Sequence, residues 1–170
     1  MNMKHSIAAS SLLGGLLAAM AVLVLAGCAS TPPIPPAVNE RAEALHALGF
    51  EKTEDGYVLN LPGPLLFDTG SDVLSSGAVA RLAKLAADLR VIKIDRLRLF
   101  GHTDNIGSAD FNRALSTRRA EAVAQAIASN GFAQDKIERR GFGFDRPLAS
   151  NDSAEGRAKN RRVAVIVPFE

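Results

Sequence analysis

Arg96-Leu97-Arg98-Leu99-Phe100 runs directly into Gly101-His102-Thr103-Asp104-Asn105-Ile106-Gly107, and Ser108 then opens a long segment, Ala109 to Ser129, that closes at Gly131. The first five residues alternate polar and apolar, the pattern of a half-buried strand. The long segment puts Phe111, Leu115, Ala122, Val123, Ala126 and Ile127 on one side of a helical wheel, which predicts an amphipathic helix. A strand that passes through a short, glycine-bounded loop into such a helix is the repeating unit of a layered α/β fold.

Working outward, the same two periodicities recur. Ser75 or Ser76 caps a helix to about Arg90 that carries Val79, Leu82, Leu85, Ala86 and Leu89 on one face. Further back, Tyr57 to Leu61 reads as a strand. Pro62-Gly63-Pro64 interrupts it, and Leu65-Leu66-Phe67 resumes it. Val38 to Leu48 reads as a short helix stopped by Gly49. Towards the C-terminus, Lys136 to Phe142 and the apolar run Arg162 to Val167 read as strands, with a polar, Gly/Pro-punctuated loop between them that has room for a helical turn. The prediction is an α/β (α+β two-layer sandwich) domain, its helices packed on one face of a small mixed β-sheet, with no repeat and no second domain.

One residue breaks the pattern of the long helix. Arg119 falls near the centre of the apolar stripe, with Asn112 close by, and a guanidinium turned towards a core requires a partner. Asp104 lies at the C-terminal end of the strand, where open α/β sheets tend to bind ligands. The backbone N–H groups after Gly107 add a weak anion site at the helix N-terminus. One carboxylate and one guanidinium beside such a site suit a zwitterion, with Asp104 taking an ammonium group and Arg119 a carboxylate. A structural Asp104–Arg119 salt bridge that orders the loop is an equally good reading of these residues alone.

Composition narrows the classes. The net charge is +2 and there is no Trp and one Tyr, which argues against nucleic acid as a partner and against a stacking platform. No His, Cys or carboxylate cluster has metal-ligand spacing, and no cofactor is called for. His102 and Asp104 have no nucleophile or metal beside them, so an enzyme is disfavoured.

Two ordered motifs then give a resemblance. Gly101-His102-Thr103-Asp104-Asn105-Ile106-Gly107-Ser108 followed by Phe111 to Ala120, and the closing Asn160-Arg161-Arg162-Val163, resemble the OmpA-like peptidoglycan-binding domain over about Tyr57 to Val167. Thr117 is a mild departure from that family's pattern. The resemblance implies a domain over 57–170 that binds peptidoglycan through meso-diaminopimelate, the zwitterionic residue of the stem peptide. Its ligand-binding Asp and Arg fall on Asp104 and Arg119, and Asn112, Gly107, Leu115, Phe67 and Asp68 match positions around the same pocket. Asn160 or Arg161 is expected to fix the loop before the last strand, and His102 to be an ordinary polar strand residue.

The N-terminal segment places such a domain. Lys4 precedes an apolar run, Ile7 to Ala26, and Leu25-Ala26-Gly27-Cys28 resembles the lipobox of bacterial lipoproteins. This reads as a signal peptide over 1–27, with a membrane span as the alternative by length. Cys28, the single cysteine, is then the lipidated residue. Ala29, rather than Asp, in the next position implies the outer membrane, with the domain facing the periplasm. Residues 28–56 form the anchor, a stiff tether at Thr31 to Pro36, and the short helix; a docked PxxP segment is the alternative for the prolines. Within the family, the segments around Leu48 to Phe67 and the tail Arg161 to Glu170 resemble the YfiB-type signalling branch. That branch implies a periplasmic protein partner, YfiR, and through it a membrane diguanylate cyclase. The peptidoglycan-associated lipoproteins, structural tethers, are the next branch.

Overall fold

A computed structural model describes residues 36–169. Cys28, the apolar run and most of the proline tether lie outside the described residues. The chain runs α1 (Pro36–Ala47), β1 (Glu51–Thr53), β2 (Gly56–Pro62), α2 (Gly63–Leu66), α3 (Ser76–Val91), β3 (Leu97–His102), α4 (Ala109–Ala128), a 3₁₀ turn (Gln134–Lys136), β4 (Ile137–Gly141), α5 (Ala154–Asn160) and β5 (Arg162–Val167). The five strands form one mixed sheet in the order β1-β2-β5-β3-β4. Only the β3–β4 pair is parallel; β5 runs antiparallel to both β2 and β3.

Alternation assigns the two faces. Leu97 and Leu99 of β3, Val163, Val165 and Val167 of β5 and Ile137 of β4 turn to one side, into a core shared with Leu82, Ala86 and Leu89 of α3 and Val123, Ala124 and Ile127 of α4. Each fully buried aliphatic side chain there contributes roughly 1.5–3 kcal/mol. The helices begin where the sequence offers a cap. Ser75, Ser108 and Ser153 each accept a hydrogen bond from the backbone N–H three residues on, about 1 kcal/mol per cap. Gly101 brings α4 down onto β3, since a Cβ there would lie 2.0 Å from the Ser116 carbonyl oxygen.

The expected long helix, its stop at Gly131 and the last strand are all present, and four expectations need correcting. Leu65-Leu66-Phe67 does not resume the strand. Pro64 stands in the first turn of α2, where a fixed φ favours helix, and only Phe67 returns to extended backbone, bridging to Leu74. β1 was not foreseen; its three residues are all exposed and show no periodicity. Val79 and Phe111 leave the predicted apolar faces and stand 45% and 52% exposed, while α3 buries Ala78 and α4 buries Asn112 beside them. Finally, Leu45 and Phe50 are buried in the common core and β1 pairs with β2, so the folded body reaches back to α1, before the expected start at Tyr57.

Candidate functional site

The C-terminal end of β3, the N-terminus of α4, the 67–74 loop and the segment before β5 meet at one end of the sheet. Asp104, two residues past β3, is 7% exposed. Its Oδ1 accepts a hydrogen bond from the Ile106 N–H at 3.1 Å, shaping the loop. Its Oδ2 accepts from Arg161 Nη1 at 2.7 Å. The expected Asp104–Arg119 salt bridge is therefore replaced by Asp104–Arg161.

Arg119 is 5% exposed, on the buried side of α4 where the helical wheel puts it. Its Nε donates to the Ser71 carbonyl at 2.9 Å, and its guanidinium lies 5.1 Å from the centroid of the Phe67 ring. Neither contact neutralises it. Burial is the main influence lowering its pKa; Asp72 and Asp104 oppose that, while Arg161 and Arg118 reinforce it. Asp72 itself is paired with Arg118 at 2.7 Å. Consecutive arginines of α4 thus hold consecutive residues of the 67–74 loop, Arg119 through Ser71 and Arg118 through Asp72.

The remaining candidates divide. Asn112, 2% exposed, donates to the Ile106 and Ser108 carbonyls at 2.8 and 3.2 Å, so its amide hydrogens are spent on the loop. Gly107 takes φ +96°, a conformation that favours glycine, and turns the chain into α4. Leu115 and Phe67 are buried walls at 5% and 4% exposure. Asp68 is exposed and contributes a backbone carbonyl to the loop, accepting from the Ser71 N–H. The Thr103 hydroxyl, beside Asp104, is buried without a hydrogen-bond partner.

Sequence reading missed Ser71 and Asp72, and gave Arg161 only a loop-fixing role. The loop role belongs to Asn160, whose side chain bonds Leu148, Ala149 and Asn151. A signal for Arg161 was present: two arginines follow Asn160 directly before an apolar strand, and alternation sends them to opposite faces. Among the described residues no group of three or more His, Cys, Asp or Glu side chains could hold a metal ion.

The chain is 41% identical over 149 residues to the outer-membrane lipoprotein YfiB of Pseudomonas aeruginosa, covering 88% of this chain and 89% of that one. It is 35% identical over 136 residues to the peptidoglycan-binding protein ArfA of Mycobacterium tuberculosis, covering 80% of this chain and 39% of that one. Among solved structures, the cell wall anchor of the type VI secretion system from Pseudomonas aeruginosa superposes with a TM-score of 0.63 at 32% identity, covering 80% of this chain and 99% of that one. The OmpA family model matches residues 66–161, a stretch that contains Asp104, Arg119 and Arg161, and the chain belongs to the OmpA family.

Proposed function

We propose that this chain is a lipoprotein of the outer membrane, anchored through Cys28, whose periplasm-facing domain binds peptidoglycan at the diaminopimelate of the stem peptide and catalyses no reaction. The observation that carries the reading is Arg119: a buried guanidinium whose only hydrogen bond among the described residues is to a neutral carbonyl. With Arg161 beside it, the cleft carries two guanidiniums to one Asp104 carboxylate once the Arg118–Asp72 pair is set aside. An incoming carboxylate restores the balance, and Arg119 presents a planar fork to it. The ligand's ammonium group takes an Asp104 oxygen, sharing the carboxylate with Arg161. Thr103 Oγ1, buried and unpartnered, supplies a further hydrogen bond. The names of the relatives support the same class: one is an outer-membrane lipoprotein, one is peptidoglycan-binding and one is a cell wall anchor.

The near full-length match to YfiB, which takes in α1 as well as the domain, favours a signalling role over a purely structural tether. In that reading the protein captures the periplasmic repressor YfiR and so releases a diguanylate cyclase, coupling the cell wall to cyclic di-GMP and biofilm growth. A tether of the peptidoglycan-associated type is the alternative.

Calorimetric titration with a soluble diaminopimelate-containing stem peptide tests the site. Wild type is expected to bind. Arg119→Ala and Asp104→Ala, checked for folding by circular dichroism, are expected to lose about 100-fold or more, the cost of removing one partner of a buried charged contact. Equal binding by all three proteins would show the pair to be structural. A Pal-like tether is separated from the signalling reading by measuring binding to purified YfiR.

A further inference from the structure

The outer face of the sheet, away from α3 and α4, carries a second concentration of guanidiniums. β3 presents Arg98, Phe100 and His102 there, and the register sets Arg140 of β4 beside Phe100 and Arg162 of β5 beside His102. Phe142 lies over this face. His102 stacks flat on its ring, with centroids 5.5 Å apart and planes 13° from parallel. The Arg146 guanidinium lies 4.1 Å from the ring centroid and that of Arg140 lies 5.8 Å from it. Arg162, 6% exposed, donates only to neutral acceptors: Asn60 Oδ1 and the carbonyls of Asn160 and Arg146.

The nearby carboxylates are paired with other arginines, Glu138 with Arg98 on the same face and Asp145 with Arg113. Arg140, Arg146 and Arg162 therefore converge with no carboxylate partner among the described residues. His102 records the resulting field. Burial, reinforced by Arg162 and then Arg146, holds its pKa down at about 3, and its buried Nδ1 has no hydrogen-bond partner.

This patch adjoins the cleft through the backbone. His102 and Asp104 are two residues apart on one strand end, and the consecutive Arg161 and Arg162 serve the cleft and the outer face respectively. A ligand that carries several carboxylates along an extended chain is the kind that two adjoining sites of this sort suit. We propose that Arg140 and Arg146 form a second contact with the carboxylate-bearing peptide network of the cell wall, outside the stem-peptide cleft and additional to it. The inference rests on the proposed function for the identity of the polymer, and the continuity with the cleft favours the wall over an acidic protein surface.

The test uses the full chain in detergent and two probes, purified diaminopimelate-type sacculi and a soluble stem tripeptide. Both arginines are exposed, so the double variant Arg140→Gln/Arg146→Gln is expected to fold. Its retention on sacculi is expected to fall about 30-fold, the product of two exposed ion pairs at the upper end of their range. The slope of log retention against log salt should also become shallower, because exposed ion pairs are screened by salt. Tripeptide affinity should stay within about twofold while Arg140→Lys/Arg146→Lys restores retention. Unchanged retention and salt slope, with tripeptide still bound, would overturn the second contact and leave an acidic protein as the complement. Loss of tripeptide affinity in the glutamine variant would also overturn it, by making the patch part of the cleft. If wild type binds sacculi but not tripeptide, the proposed function fails alone, and the salt slope still decides this inference.

Discussion

Two buried polar centres lie at the same end of the sheet, and they are built on opposite principles. Asn160, fully buried, has its carbonyl oxygen accepting from the Leu148 and Ala149 N–H groups and its amide donating to Ala149 and Asn151. That fills the capacity of its side chain, so the centre is closed. Arg119 has five N–H donors, of which only Nε meets an acceptor among the described residues. Thr103, next to Asp104 in the chain, keeps an unpaired hydroxyl among the described residues. Burial alone does not mark a functional residue; saturation separates a polar group that fastens the fold from one that awaits a ligand.

The largest expected effect comes from opening the closed centre. Asn160→Ala orphans two backbone N–H groups and should cost about 2–4 kcal/mol in urea denaturation, while the folded fraction binds stem peptide as wild type does. Lost affinity at full stability would break the distinction from that side. At the open centre, Arg119→Lys keeps the charge but loses the fork and the Ser71 bond. Peptide affinity should drop about tenfold with a stability change under about 1 kcal/mol; the reverse ranking would make Arg119 a fold residue.

His102 sharpens the contrast through pH. Its pKa is 6.5 in the unfolded chain and about 3 in the fold, so the unfolded state takes up the proton first. The stability this group confers is complete above pH 6.5 and is lost as pH falls towards 3, by up to about 1.4 kcal/mol per pH unit. The urea midpoint of wild type should therefore fall more steeply between pH 7 and 4 than that of His102→Gln; parallel curves would place a proton or an anion on His102 in the fold. The smallest effect is expected at Arg118→Ala. Its pair with Asp72 is half exposed and should be worth under about 0.5 kcal/mol, with peptide affinity within about twofold. A larger loss of affinity would move the hold on the 67–74 loop from Arg119 to Arg118.

The legible parts of the molecule were those governed by local periodicity. β3, α3, α4 and β5 followed from alternation and helical spacing, and the inward turn of Arg119 from its place among Val123, Ala126 and Ile127. The misreadings lie where local pattern is short or where a distant residue decides. Leu65-Leu66-Phe67 is too brief to have a period, and the proline before it chose helix. The partner of Asp104 was beyond reach for a different reason. Arg161 is 57 residues away in the chain, and it occupies the carboxylate only because β5 lies beside β3. Across the strand–loop–helix unit, Asp104 and Arg119 looked like a pair because nothing local showed a third claimant.

The place of β5 has a further consequence, for how the molecule is made. β2 and β3 touch no common strand except β5, so residues 56–62 and 97–102 wait for 162–167 before the sheet closes. Contacts of such long sequence separation carry a loop-closure entropy that slows folding. A chain emerging N-terminus first therefore has β1–β2 as one half-sheet and, once Gly141 has followed, β3–β4 as a second, unconnected until β5 arrives. β5 is the keystone, and the sheet becomes one piece only when residues 162–167 join it between β2 and β3.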